Sequence, residues 1–129
     1  MSPIKMQRLE SGIRLVVEYI EAVNLHKLDS ILGLLSPECA FEPAFGTSPR
    51  ATIIGQEEIR AYFERLFSQR SDIHFSTEEL IGFGHRCLMR WKCTWTDGRG
   101  ETQSLRGADI VREKNDLICE ILSYGKTEG

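Results

Sequence analysis

The sequence contains no apolar run approaching the ~20 residues that a membrane-spanning helix requires. It has no basic surplus either: 16 Lys and Arg stand against 19 Asp and Glu, for a formal charge of −3. Nucleic-acid binding depends on a basic footprint, so no nucleic-acid partner and no membrane partner is expected. The four cysteines form no CxxC pair, and the three histidines show no ligand spacing. Cys87 and Cys93 lie on one expected strand, roughly 20 Å apart at about 3.3 Å per residue, too far to bridge. All four are expected to be reduced thiols, with no metal and no cofactor. The opening residues, MSPIKMQRLESG, lack the apolar core of a signal peptide, which makes the cytoplasm the expected location. No repeat, low-complexity segment or linker divides residues 1–129, so a single domain is expected.

What is present is ordinary for a globular core, with 41% hydrophobic and 27% charged residues. Ser2-Pro3 offers a helix start, and Ser11 a second one. Ile13, Val16, Val17, Ile20 and Val23 then recur at helical spacing, with Tyr19 at the margin of that stripe. A short helix is expected from Lys27 to Leu35, stopped by Ser36-Pro37. Cys39 to Glu42 reads as a short strand that Pro43 confines to an edge or an end. A loop follows from Phe45 to Arg50. Gln56 to Gln69 is the clearest helix, with Ile59, Tyr62, Phe63, Leu66 and Phe67 on one face.

After Asp72 the period changes from 3.6 to 2. Ile73 to Phe83 is one expected strand and His85 to Thr96 a longer one. In the latter Cys87, Met89, Trp91, Cys93 and Trp95 alternate with a basic set that includes Arg86, Arg90 and Lys92. Thr102 to Arg112 and Leu117 to Tyr124 follow, joined by a polar turn over Glu113 to Asp116. Helices first and an antiparallel meander after them make an α+β fold, with helices on one face of a curved sheet. Asp109 interrupts an apolar strand between Ala108 and Ile110. Burying a carboxylate costs several kcal/mol unless it is paired or protonated, so this residue marks a special environment.

The order of elements, the Tyr19-to-Asp29 stretch, the loop Phe45 to Arg50, the strand RGADIVR (Arg106 to Arg112) and the closing strand Glu120 to Gly125 together resemble the nuclear transport factor 2-like superfamily. That superfamily includes the SnoaL-type cyclases and the ketosteroid isomerases. The likeness runs from about residue 10 to residue 125 and is nearest to the bacterial isomerases. It implies a cystatin-like cone, N-terminal helices packed on a curved antiparallel sheet around a pocket. By this resemblance Tyr19 matches the tyrosine that donates to the oxyanion, and Asp109 the aspartic acid that donates beside it while protonated. The isomerase base is an Asp directly before a Pro. With one residue deleted Glu42-Pro43 takes that place, whereas the ungapped count puts Pro43 there. Phe63 stands where some members carry a supporting phenol.

Strand parity adds a second carboxylate. In the family register Glu120 and Tyr124 would face the same cavity as Asp109 and Val111, and two carboxylates in one apolar pocket give one donor and one base. The resemblance therefore implies enolisation of a small apolar carbonyl compound. Glu42 or Glu120 would be the base, with Tyr19 and Asp109 as oxyanion donors. Trp91, Trp95, Phe63, Val111 and Tyr124 would shape the substrate-binding pocket. The outcome would be double-bond isomerisation or ring closure. A non-catalytic ligand-binding or dimerisation module is the alternative of a different class. Water activation by an Asp-Arg-Asp set is disfavoured, because Arg106 and Asp109 are three apart on one strand and face opposite ways. The sheet's outer face, with Leu88 and Ile110 among Arg86, Arg90, Lys92 and Arg112, suits a homodimer contact.

Overall fold

A computed structural model describes residues 3–45 and 52–126, with residues 3–11 described by their backbone alone. The expected loop from Gly46 to Arg50 lies outside the described residues. The elements run α1 (Pro3–Asn24), α2 (Leu28–Gly33), β1 (Leu35–Glu42), β2 (Ile53–Ile54), α3 (Gln56–Gln69), β3 (His74–Phe83), β4 (Arg86–Thr96), β5 (Thr102–Lys114) and β6 (Leu117–Lys126). Of the two possible starts for α1, the earlier is used, with Pro3 in the first turn, where its missing N–H costs nothing. No described helix is long and apolar enough to cross a membrane.

The strands form one six-stranded sheet in the order β2-β1-β6-β5-β4-β3. Four neighbouring pairs are antiparallel, but β1 runs parallel to β6, so the sheet is mixed and not the purely antiparallel one expected. β1 also begins earlier than expected, at Leu35, and its pairing with β6 is irregular between Leu35 and Ala40. Pro37 lies in that gap and has no N–H to give to a ladder. The two-residue β2, which the sequence reading missed, covers the outer edge of β1.

Both long helices pack on one face of this sheet. Alternation on β4 buries Cys87, Met89, Trp91 and Cys93 beneath them and leaves Arg86 and Arg90 exposed. Asn24, at the end of α1, ties the helix to edge strand β3: its amide donates to Phe75 O at 2.9 Å and accepts from Phe75 N at 2.8 Å. This borrows the pairing that an additional strand would supply, and it caps an otherwise open edge.

One bulge decides which side chains of β6 face the helices. Asn115 and Asp116, with φ of 55° and 62°, form a two-residue turn in the left-handed region. At that turn Lys114 pairs with Leu117 and Glu113 with Ile118. An unbroken ladder would carry Glu120 opposite Val111 on the inner face. Cys119 is instead an extra residue, and beyond it Arg112 pairs with Glu120, Val111 with Ile121 and Asp109 with Ser123. A slip of one residue exchanges the two faces of a strand, so Ile121 and Ser123 turn inward while Glu120 and Tyr124 turn outward.

Candidate functional site

Asp109 is the innermost charged group, 5% exposed in the middle of β5. Opposite it on β6 is Ser123, also buried. On the other side β4 places Met89 directly across and Trp91 one step along the same face. The Trp91 indole Nε1–H donates to Asp109 Oδ1 at 2.9 Å. Gly107, paired with Trp91, makes this possible. A Cβ at Gly107 would come within 3.0 Å of the Trp91 ring and of the Tyr124 carbonyl, so the indole can lie across β5 only because that side chain is missing.

These residues open onto a small cavity between sheet and helices, with Tyr19 from α1 and Tyr62, Phe63 and Leu66 from α3 among its walls. The cavity is small, about 30 Å³. Tyr19 is buried and sets its ring edge-on to Phe63, with centroids 6.4 Å apart. The Tyr62 ring packs against Phe41 at 5.2 Å. Neither tyrosine hydroxyl has a hydrogen-bond partner among the described residues.

The electrostatics follow from burial. Desolvation pushes the Asp109 carboxyl up from 3.8 to about 6, against the opposing effects of Ser123 and Trp91. Tyr19 is raised well above its usual 10.0, first by burial and then by the charge of Asp109. Tyr62 is raised for the same two reasons, with Arg70 and Arg65 pulling the other way. Both phenols therefore keep their protons at neutral pH and remain available as donors, while Asp109 changes charge in the physiological range.

Of the residues that the sequence pointed to, Asp109, Tyr19, Phe63 and Trp91 line this cavity. Val111 is buried on the same face, next to it. Trp95 packs further along β4, edge-on to Phe45 at 5.5 Å. Three expectations are corrected. Glu120 lies on the outer face because of the Cys119 bulge, with Oε1 3.6 Å from Arg112 Nε. Tyr124 is 48% exposed on the same side. Glu42 pairs with Leu122 next to the inward pair Phe41–Ile121, so alternation points it outward as well. Arg106 pairs with Glu78 at 3.4 Å, away from Asp109. Asp109 is the one carboxylate among the described residues of the cavity wall.

Sequence reasoning missed Tyr62 and Ser123. Tyr62, one residue before Phe63, brings a second phenol to the cavity wall. Tyr62 stood in the apolar face of α3, and the tyrosine hydroxyl in an otherwise hydrocarbon stripe was the available signal. Ser123 could not be found that way, because its inward direction depends on the bulge.

A helix-covered curved sheet enclosing a small cavity, with one buried acid and two free phenols, defines a cone-shaped α+β pocket protein. The sequence profile of the SnoaL-like domain matches residues 16–121, and the chain belongs to that family within the NTF2-like proteins. Solved structures agree on the fold. An NTF2-like protein of unknown function from Burkholderia pseudomallei superposes with a TM-score of 0.81 at 20% identity, covering 90% of this chain and 91% of that one. A ketosteroid isomerase candidate from Kribbella flavida gives 0.79 at 14% identity, over 94% and 82%. A Mycobacterium tuberculosis protein in complex with estradiol-17β-hemisuccinate gives 0.76 at 19% identity, over 88% and 92%. No curated protein matches the sequence.

Proposed function

We propose that this protein binds a small ring-containing carbonyl compound in the cavity, which widens from its about 30 Å³ by rotation of the aromatic side chains around it, and moves a proton on that compound, with Asp109 as the acid–base group. The observation that carries this reading is the combination at one cavity wall: a buried carboxyl brought to about 6 and two tyrosine hydroxyls with no described protein partner. A base poised near the working pH transfers protons most effectively. As carboxylate, Asp109 takes the proton next to the carbonyl; the C–H electron pair becomes the C=C bond of the enolate and the carbonyl π pair moves onto oxygen. Tyr19 and Tyr62 donate hydrogen bonds to that developing charge in a site from which bulk water is excluded. Asp109 then returns the proton at another carbon, which is isomerisation, or the enolate carbon attacks a second carbonyl, which is ring closure.

This assignment changes the role of Asp109 from protonated donor to base. With Glu42 and Glu120 facing outward, no second described carboxylate stands across from it. The Trp91 hydrogen bond also favours the ionised form. The ring-shaped ligand class is supported by the steroid ester held by the Mycobacterium tuberculosis neighbour. Binding without turnover is the second reading, favoured by the absence of a second carboxylate among the described residues of the cavity wall.

The sheet's outer face is where a second copy docks in this account. Ile81, Leu88, Ile110 and Leu122 fall in register across four strands as one apolar row. The Arg90–Glu79 and Arg112–Glu120 pairs flank it, a self-complementary arrangement.

Proton exchange tests the catalytic reading. In D₂O the protein should accelerate loss of the α-proton signals of cyclohex-2-enone by NMR. Asp109→Asn should abolish the effect, and Tyr19→Phe or Tyr62→Phe should weaken it. Binding of the ketone with no acceleration would move the account to the second reading.

A further inference from the structure

Arg70 closes the far end of α3, and its surroundings are unusual for an arginine. Its guanidinium carbon lies 4.8 Å from the centre of the Phe45 ring and 5.0 Å from that of Trp95. These two rings meet edge to face, so aromatic surface covers much of the cation and replaces its water. The Nε is buried and has no hydrogen-bond partner among the described residues. No carboxylate among the described residues pairs with this side chain. A desolvated cation without a counter-charge is costly, and a bound anion would remove that cost.

This charge stands beside the cavity. Tyr62 and Leu66, one turn apart on α3, are cavity walls, and Arg70 caps the helix a turn beyond Leu66, its backbone N–H donating to Leu66 O. Phe45, under the guanidinium, is a cavity wall as well. The field of Arg70 is also felt at Tyr62, whose rise in pKa it opposes. The two chemical ends of the site are marked by residues of one strand. Trp91 touches the acid and Trp95 touches the cation, and four residues of strand separate them by about 13 Å.

We infer that Arg70 is an anion-recognising group just beyond the Phe45 wall of the cavity, and that the ligand is an apolar ring system that reaches from the cavity to it, with a hydrogen-bonding oxygen at one end and a carboxylate at the other. The inference rests on the cavity being a small-molecule site. The planar guanidinium, packed against two rings, offers its terminal NH2 groups to a carboxylate with little further loss of side-chain freedom. The rings that hold it are the surface on which the ligand's own rings would pack.

The test compares two fluorescent probes of the same shape, 6-hydroxy-2-naphthoate and its neutral analogue 6-hydroxy-2-naphthamide, titrated against the unmodified protein at pH 7.5 and then against Arg70→Met and Arg70→Lys. The naphthoate should bind at least tenfold more tightly than the amide to the unmodified protein, and less so as salt is raised. Arg70→Met should bring the two affinities together by weakening the naphthoate alone, and Arg70→Lys should keep part of the preference. Equal affinity for both probes in the unmodified protein overturns the inference and leaves the cavity reading in place. That comparison needs no variant, so a misfolded Arg70→Met does not spare the idea. Failure of both probes to bind overturns the inference and the cavity reading together.

Discussion

The Trp91 indole donates to Asp109 Oδ1 at 2.9 Å from a position one step off the directly opposed pair. This bond opposes burial: desolvation drives the carboxyl upward, and Ser123 and the Trp91 N–H together hold it near 6. Removing the donor should let burial prevail. A hydrogen bond to a charged group is worth about 1.5–3 kcal/mol, so Trp91→Phe should move the Asp109 titration up by roughly one pH unit or more. Carbon-13 NMR of the carboxyl reads this directly, and an unchanged midpoint would mean that the bond does not tune the acid.

Asp109 also costs the fold stability when it is ionised. Its folded pKa is raised above the 3.8 of the free group, so the protonated native form is the favoured one. The associated stability is fully present below pH 3.8 and is lost as pH rises through about 6. A rise from 3.8 to about 6 corresponds to about 3 kcal/mol. Asp109→Asn keeps an acceptor for Trp91 and has no charge to bury. Urea denaturation should therefore find the variant more stable than the unmodified protein at pH 8, with the gain shrinking towards pH 4. A gain of equal size at both pH values would contradict the burial account.

The role of Gly107 is spatial. A methyl group there overlaps both the Trp91 ring and the Tyr124 carbonyl, and the carbonyl is backbone and cannot turn aside. Gly107→Ala should cost about 1–3 kcal/mol of stability, as overpacking does. It should also displace the indole from Asp109. Denaturation combined with tryptophan emission checks both effects, and an Ala variant with native stability and emission would rule this role out.

Much of this was legible in the chain, for identifiable reasons. The period change at Asp72, the aromatic face of α3 and the acid in the apolar middle of β5 are local patterns, and they carried the helices, the long strands and the location of the cavity. The direction of β6 was not local. Whether Glu120 or Ser123 faces Asp109 depends on one extra residue at Cys119, and nothing in LICEILSYG sets that residue apart from its neighbours. Glu42 failed for a related reason. Its direction follows from parallel pairing with β6, a partner far away in sequence. Tyr62 was seen as apolar surface, and its hydroxyl became relevant only once the helix was seated against the sheet.

The outer face makes a separate prediction. Ile81 is 43% exposed in an apolar row flanked by ion pairs. If a second copy covers that row, Ile81→Glu should convert a dimer to a monomer in sedimentation equilibrium with little change in monomer stability. A monomeric unmodified protein at the same concentrations would remove this part of the account.

The central claim is that ionised Asp109 is the base, and the pH profile of exchange tests it most directly. With cyclohex-2-enone in D₂O, the protein-dependent exchange rate should rise with pH through a midpoint near 6 and level off above it, and Asp109→Asn should show no such rise. A rate that falls above pH 6 would make the protonated acid the working form, and a rate indifferent to Asp109→Asn would contradict the claim outright.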